Sequence, residues 1–170
     1  TEIKNFKIIK LNEITTGQGE TVRAGIEALG EKYFTDELTV FNIDSKRISF
    51  KYDKNFRNAP YLEVFVGEGS QWSFAEFKKT DNSLIRTTEK IRISDYCSNG
   101  LYHFNSCSDF IKIYDANKDD IKTKYGETYL APIYNYFLDS NIKCYVKLID
   151  KNEMDFFGTP IEYEALKNTF

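Results

Sequence analysis

Four groups of residues in this chain combine types and spacings that can do chemistry. Gly17-Gln18-Gly19 leads into a helical pattern, and free N–H groups at a helix N-terminus attract anions such as phosphate. The flanking residues depart from both phosphate signatures. No Lys-Ser/Thr follows, and Val22 stands where the dinucleotide pattern needs its third glycine. A loop whose glycines only help the helix start is the competing reading. Cys97, His103, Cys107 and the later Cys144 supply three thiols and the single histidine of the chain. These are enough ligands for a tetrahedral zinc site, or a thiol and a base for nucleophilic chemistry. There is no tight Cys-x-x-Cys pair and no third group to orient the histidine, so three small buried hydrophobes are the plainer reading, and no metal and no cofactor are expected. Asp115-x-Asn117-x-Asp119 opens like a calcium loop. Asp120 takes the sixth place, where glycine must turn the chain, and Gly126 the twelfth, where a bidentate Glu belongs, so a solvated acidic turn is expected.

The fourth group is cationic. Lys46, Arg47, Lys51, Lys54 and Arg57 stand against Asp53, and Lys78, Lys79, Arg86, Lys90 and Arg92 against Asp81 and Glu89. If outward strand faces bring them together, with Trp72 nearby, they form a basic surface of the kind that binds partners or single-stranded nucleic acid. Arg47, Lys51, Lys54, Arg57, Trp72, Lys78, Lys79, Arg86, Lys90 and Arg92 are the candidate binding residues. The competing reading is a solvated sheet face whose Lys and Arg protect its edges.

The remaining chemistry is sparse. Carboxylates fall singly through the chain, and neither a nucleophile motif nor a cofactor fingerprint appears. A binding protein, not an enzyme, is the expectation. The 170 residues suit one domain spanning 1–170, with a core that needs no disulfides. A net charge of −3 excludes a nucleic-acid mimic and a general DNA binder. Three cysteines, an odd number, argue against a secreted disulfide framework. No apolar run reaches membrane-span length, and the opening TEIKNFKIIK lacks the signal-peptide pattern, so a soluble, cytoplasmic protein is expected.

The elements that must position these groups follow from periodicity. Val22, Ile26, Leu29 and Tyr33 share one helical face within 17–34, the clearest such stripe in the chain. Residues 6–11 read as a strand. Residues 38–43 with 47–52, and 61–66 with 71–77 across Gly67-Glu68-Gly69-Ser70, read as hairpins. Segments 83–87, 90–94, 101–104 and 109–114 read as further strands, and 115–127 as a polar turn region. Tyr129, Leu130, Ile133, Tyr134, Phe137 and Leu138 mark a second helix, with Pro132 in its first turn. Residues 142–149 read as a strand, and Thr159-Pro160-Ile161-Glu162 as a capped helix start. The expected fold is α+β: a curved antiparallel sheet of about eight or nine short strands packed around one central N-terminal amphipathic helix, with one or two helices near the C-terminus.

Two resemblances bear on function. The Gly17–Gly19 turn is similar to the acetyl-CoA-binding turn of the GNAT acetyltransferases, although in that family several strands precede it and here one does. The ending FFGTPIEYEALKNTF and the Lys-, Asn- and Ile-rich usage resemble small accessory proteins of phages and mobile elements, including anti-CRISPR proteins. That second resemblance implies a non-enzymatic inhibitor of a bacterial defence system. It would occlude a protein partner, such as a nuclease or another nucleic-acid-associated complex, through a sheet face. The alternatives are an immunity or regulatory protein for a small partner, or an enzyme or ligand-binding domain using Gly17–Gly19 or Cys97/His103/Cys107.

Overall fold

Ser106 and Gly126 bracket the longest helix of the molecule. In the computed structural model, which describes residues 6–48, 50–51, 56 and 58–167, Ser106 Oγ accepts from the Asp109 N–H at 3.1 Å. Gly126 closes the other end in the left-handed conformation, φ 84°, where a side chain would strain the backbone. Between them runs α2 (Cys107–Tyr125), burying Phe110, Ile113, Tyr114 and Ile121. After a short loop comes α3 (Ile133–Asp139), whose N-terminal Pro132 has no N–H to lose there.

Both helices lie on one face of a six-stranded sheet. Its strands are β1 (Leu38–Val40), β3 (Tyr61–Val66), β4 (Ser73–Phe77), β5 (Leu84–Glu89), β6 (Tyr96–Phe104) and β7 (Tyr145–Leu148), in the order β5-β4-β6-β3-β7 with β1 also on β6. Pairings are antiparallel except that β7 runs parallel to β3, Tyr61 opposite Tyr145. Alternation sorts the strands' two faces. Leu62, Val64, Ala75, Tyr102 and Phe104 meet α2 and α3 in the main core, while Phe65, Phe74 and Cys97 form a second cluster with Ile149 and Met154. A two-stranded sheet, β2 (Ser45–Arg47) with β8 (Met154–Phe156), supplies the Met154 and Phe156 of that cluster. The large sheet curls until its edges meet, with Leu84 N donating to Cys144 O and Val146 N to Asn82 O, both at 2.9 Å. Asn135 of α3 completes the edge of β5 by bonding both the N–H and the C=O of Thr87.

The expected antiparallel sheet around a central N-terminal helix is therefore corrected. The sheet is mixed, and α1 (Gln18–Leu29) sits beside α2. Of its apolar stripe only Ile26 is buried, Val22 and Leu29 are half-buried, and Tyr33 lies in a separate 3₁₀ turn at the surface. Neither expected early hairpin forms: β1 pairs with β6 and β2 with β8, and β6 inserts between β3 and β4. Residues 6–11 are irregular, 90–94 are a turn, and 109–114 belong to α2. The calcium-like spacing from Asp115 lies inside that same helix, where the ligand loop has no room to turn. Of the expected strand 47–52, residues 49 and 52 lie outside the described residues. The capped C-terminal helix forms as α4 (Pro160–Lys167), with Thr159 N donating to Glu162 Oε2 at 2.9 Å and Glu162 N to Thr159 Oγ1 at 3.3 Å.

Candidate active site

A cleft of about 560 Å³ opens where the sheet splits. One edge of β6 is shared: β4 meets it at Cys97 and β1 from Tyr102 to Phe104, so the stretch between has no strand beside it there. On the opposite edge, Asn99, Gly100 and Leu101 stand against the single Glu63 of β3, a bulge of the kind that re-aims side chains next to active sites. Gly100 makes the bulge possible, with φ +87°, and a Cβ there would lie 2.6 Å from the Asn42 side chain. That position needs glycine for both reasons.

The wall is built from distant parts of the chain. Asn42, Asp44 and Ser45 come from the end of β1 and the start of β2; Trp72 and Ser73 from the start of β4; Glu89 and Lys90 from the end of β5. Tyr102 of β6, Tyr129 between α2 and α3, and Thr159 with Glu162 of α4 complete it. Glu89 is 7% exposed, accepts a short hydrogen bond from Ser73 Oγ, and is held above the usual carboxylate range by burial. Ser73 Oγ also lies 3.4 Å from the Tyr102 hydroxyl. Lys90, in the left-handed conformation at φ 54°, swings its ammonium across the mouth. Its Nζ donates to Tyr129 OH at 2.7 Å and sits 4.8 Å from that ring's centroid, which raises its pKa. The arrangement offers a recessed carboxylate with hydroxyls around it and one fixed cation at the rim. This suits a phosphate ester whose body enters the cleft while its phosphate stays near Lys90.

Behind the bulge lies a buried ionic cluster. Arg47 Nε and Asn99 Nδ2 each donate to Glu63 Oε2 at 2.9 Å, Lys147 Nζ stands 3.0 Å from Glu63 Oε1, and Arg47 also reaches Glu153 at 2.7 Å. This cluster fixes Asn99, and through it the chain direction at Gly100.

No protein-family model matches the sequence, and no curated protein does either. Among solved structures, the nucleoside-diphosphate-sugar pyrophosphorylase from Vibrio cholerae RC9 superposes with TM-score 0.88 at 37% identity, covering 98% of this chain and 70% of that one. The chain belongs to the nucleoside-diphosphate-sugar pyrophosphorylase family. Two further likenesses carry the fold alone. A Bacillus anthracis protein assigned as a glucose-1-phosphate thymidylyltransferase matches at TM-score 0.67 and 14% identity, over 94% of this chain and 63% of that one. The CTP:phosphocholine cytidylyltransferase of Streptococcus pneumoniae matches at 0.54 and 13%, over 89% and 62%. Membership of this pyrophosphorylase family overturns both the resemblance to phage accessory proteins and the reading as a non-enzymatic inhibitor of host defence. Fifteen terminal residues and a composition are weak constraints beside an alignment over almost the whole chain.

The residues singled out from sequence scatter over this family's fold. Lys90 and Trp72 line the cleft. Arg47 is buried in the ionic cluster. Arg86 pairs with Glu76, and Arg92 ties Gly67 O, Gly69 O and Asp95 together. Lys51, Lys78 and Lys79 are exposed away from the cleft, and Lys54 and Arg57 lie outside the described residues. Gly17 and Gly19 serve packing instead of an anion. Gly19 N donates to Thr128 O at 2.7 Å, Glu20 N points to Thr128 Oγ1 at 3.4 Å, and a Cβ on either glycine would collide with Thr128 or Tyr114. Cys97, Cys107 and Cys144 are buried free thiols, Cys144 pushed up to about 12 by burial, and His103 stacks on Tyr61 with Nδ1 2.8 Å from Thr39 Oγ1. Among the described residues no three His, Cys, Asp or Glu side chains gather where they can hold a metal, and no helix is long and apolar enough to cross a membrane. Sequence reasoning missed Asp44, Glu89, Asn99, Gly100, Tyr102 and Tyr129. One signal was available: the Asn99-Gly100 pair directly before the expected strand 101–104 marks a bulge or a close backbone approach if the strand starts earlier, as it does.

Proposed function

We propose that this chain acts in nucleotidyl transfer to a phosphorylated acceptor, with the cleft holding the acceptor. A phosphate oxygen of the acceptor attacks the α-phosphorus of a nucleoside triphosphate. The new P–O bond forms as the bond to the bridging oxygen breaks, and pyrophosphate leaves. Such reactions are accelerated by positioning and charge stabilisation more than by covalent chemistry. Lys90 is placed to hold the acceptor phosphate, and Glu89 and Ser73 to orient the acceptor's body by hydrogen bonds. Gly100 lets the backbone approach closely. The acceptor is assigned to the cleft and not to the chain's glycine turn, where the Gly19 and Glu20 N–H groups are already directed at Thr128. The observation that carries the reading is the sequence-adjacent Glu89 and Lys90 lining one cleft, the carboxylate recessed and the ammonium at the rim, in a chain 37% identical to a sugar pyrophosphorylase.

The test is pyrophosphate release from each nucleoside triphosphate mixed with a panel of sugar 1-phosphates, alongside calorimetric titration of the same acceptors. Acceptor-dependent release, or acceptor binding, that Lys90→Ala weakens by about a hundredfold is expected, the scale of losing one well-placed stabilising group. A folded protein that neither binds an acceptor nor releases pyrophosphate overturns the reading.

A further inference from the structure

We propose that Tyr129 is a second residue that binds the acceptor phosphate, its hydroxyl acting beside the Lys90 ammonium at the mouth of the cleft. The inference rests on the nucleotidyl-transfer reading and adds a residue to the phosphate site.

The hydroxyl comes first. Tyr129 lines the cleft, and its oxygen accepts a hydrogen bond from Lys90 Nζ at 2.7 Å. A phenol both accepts and donates, so accepting that bond leaves its own proton unspent. Among the described residues no acceptor takes that proton. Lys90 has three N–H donors and spends one of them on Tyr129. The donors left on the two groups therefore stand side by side at one place on the rim. A phosphate dianion, with three acceptor oxygens, is the group that takes several such donors at once.

The mounting of both side chains is independent of the bond between them. Lys90 holds a left-handed backbone, φ 54°, with its N–H on Trp72 O at 2.9 Å. Strain of that kind at a non-glycine residue persists where the fold fixes it, and it collects at ligand sites. Tyr129 sits between Thr128, 2% exposed, and Leu130, fully buried. Thr128 N donates to Thr16 O at 3.0 Å, and Thr128 O accepts from Gly19 N at 2.7 Å. The backbone is anchored on both sides while the ring is left at the cleft. That ring stands 4.8 Å from Lys90 Nζ, a cation–π contact that confines the long lysine side chain. A lysine so held has less freedom left to lose when a phosphate binds. The Tyr129 hydroxyl, with the carboxylates of Glu89 and Glu127 facing the same ammonium, keeps Lys90 protonated.

The experiment uses the full chain and its Tyr129→Phe variant, which keeps the ring and removes only the hydroxyl. Glucose 1-phosphate, galactose 1-phosphate and N-acetylglucosamine 1-phosphate are titrated calorimetrically, and the tightest binder is followed by phosphorus NMR against pH. Tyr129→Phe should bind that ester about tenfold more weakly, the scale of one hydrogen bond to a charged group. Donors on the phosphate favour its dianion. The ester bound to wild type should therefore lose its second proton below the free value of about 6, and Tyr129→Phe should move that midpoint back up. Equal affinity, or weaker binding with an unmoved phosphate titration, overturns the inference, and Tyr129 then only packs at the rim. The nucleotidyl-transfer reading survives that result, because wild type still binds the ester. If none of the esters binds wild type, this inference falls, and the nucleotidyl-transfer reading falls with it when pyrophosphate release is absent too. Should Tyr129→Phe not fold, Lys90→Ala decides. A bound phosphate that still titrates below the free ester supports Tyr129, and one that titrates with it overturns the assignment.

Discussion

Arg47 Nε donates to Glu63 Oε2 at 2.9 Å, joining the small β2–β8 sheet to the middle strand pair of the large one. The Arg47 side chain is 7% exposed and that of Glu63 fully buried. Read from sequence, Arg47 belonged to a basic binding face. In the fold its charge is consumed inside the protein, beneath the bulge that shapes the cleft.

Removing one partner of a buried ion pair strands the other. Arg47→Ala should therefore cost about 3 kcal/mol in urea unfolding. A loss below about 1 kcal/mol would mean that Lys147 and Asn99 satisfy Glu63 unaided.

Two glycines should respond in opposite directions to the same substitution. Gly100→Ala forces a side chain into left-handed backbone and against Asn42, and should destabilise by more than about 1 kcal/mol while weakening acceptor binding. Gly25→Ala, in α1 with nothing within 4 Å of the new Cβ, should stabilise by about 0.5–1 kcal/mol. Paired thermal melts check both, and equal effects would show that the backbone at Gly100 adapts freely.

Core weight should follow α2 and the sheet instead of α1. Phe104, buried against Phe110, Tyr134 and Phe137, should cost about 3–5 kcal/mol as Phe104→Ala. Half-buried Leu29 should lose only about 1 kcal/mol as Leu29→Ala. Denaturant midpoints that reverse this order would restore α1 as the central helix.

Burial raises the folded-state pKa of Glu89 above its unfolded value. The folded protein thus holds the proton more tightly, and Glu89 penalises stability once the pH rises past its unfolded pKa, most fully above its folded one. Glu89→Gln should raise the melting temperature at neutral pH, and the gain should shrink as the pH falls to about 4, near the ordinary Glu range. A gain independent of pH would mean that packing, not charge, is responsible.

The three thiols should be silent in the native state. Burial raises the pKa of Cys97, Cys107 and Cys144, so little thiolate forms and access is blocked. A disulfide reagent should titrate them only in denaturant, and a chelator should leave the melting temperature unchanged. Rapid native modification of any one would contradict its placement.

Local chemistry was legible in the sequence. The bounds of β3, Pro132 at the head of α3 and the Thr159–Glu162 cap all depend on residues within one turn or one strand of each other. Such preferences are set by backbone sterics and near-neighbour hydrogen bonds. The helical spacing of Phe110, Ile113, Tyr114 and Ile121 was there to read as well, but the strand-like run at its head masked it. What only the tertiary structure decided is partnership. Whether β6 lies between β3 and β4, whether β7 runs parallel to β3, and whether Arg47 points to solvent or to Glu63 depends on contacts between segments far apart in the chain. Pattern within a segment does not encode these contacts. The cleft is made wholly of such contacts: Asn42 touches Gly100, Lys90 touches Tyr129, and Ser73 touches Glu89 because the strands carrying them diverge at one place in the folded sheet.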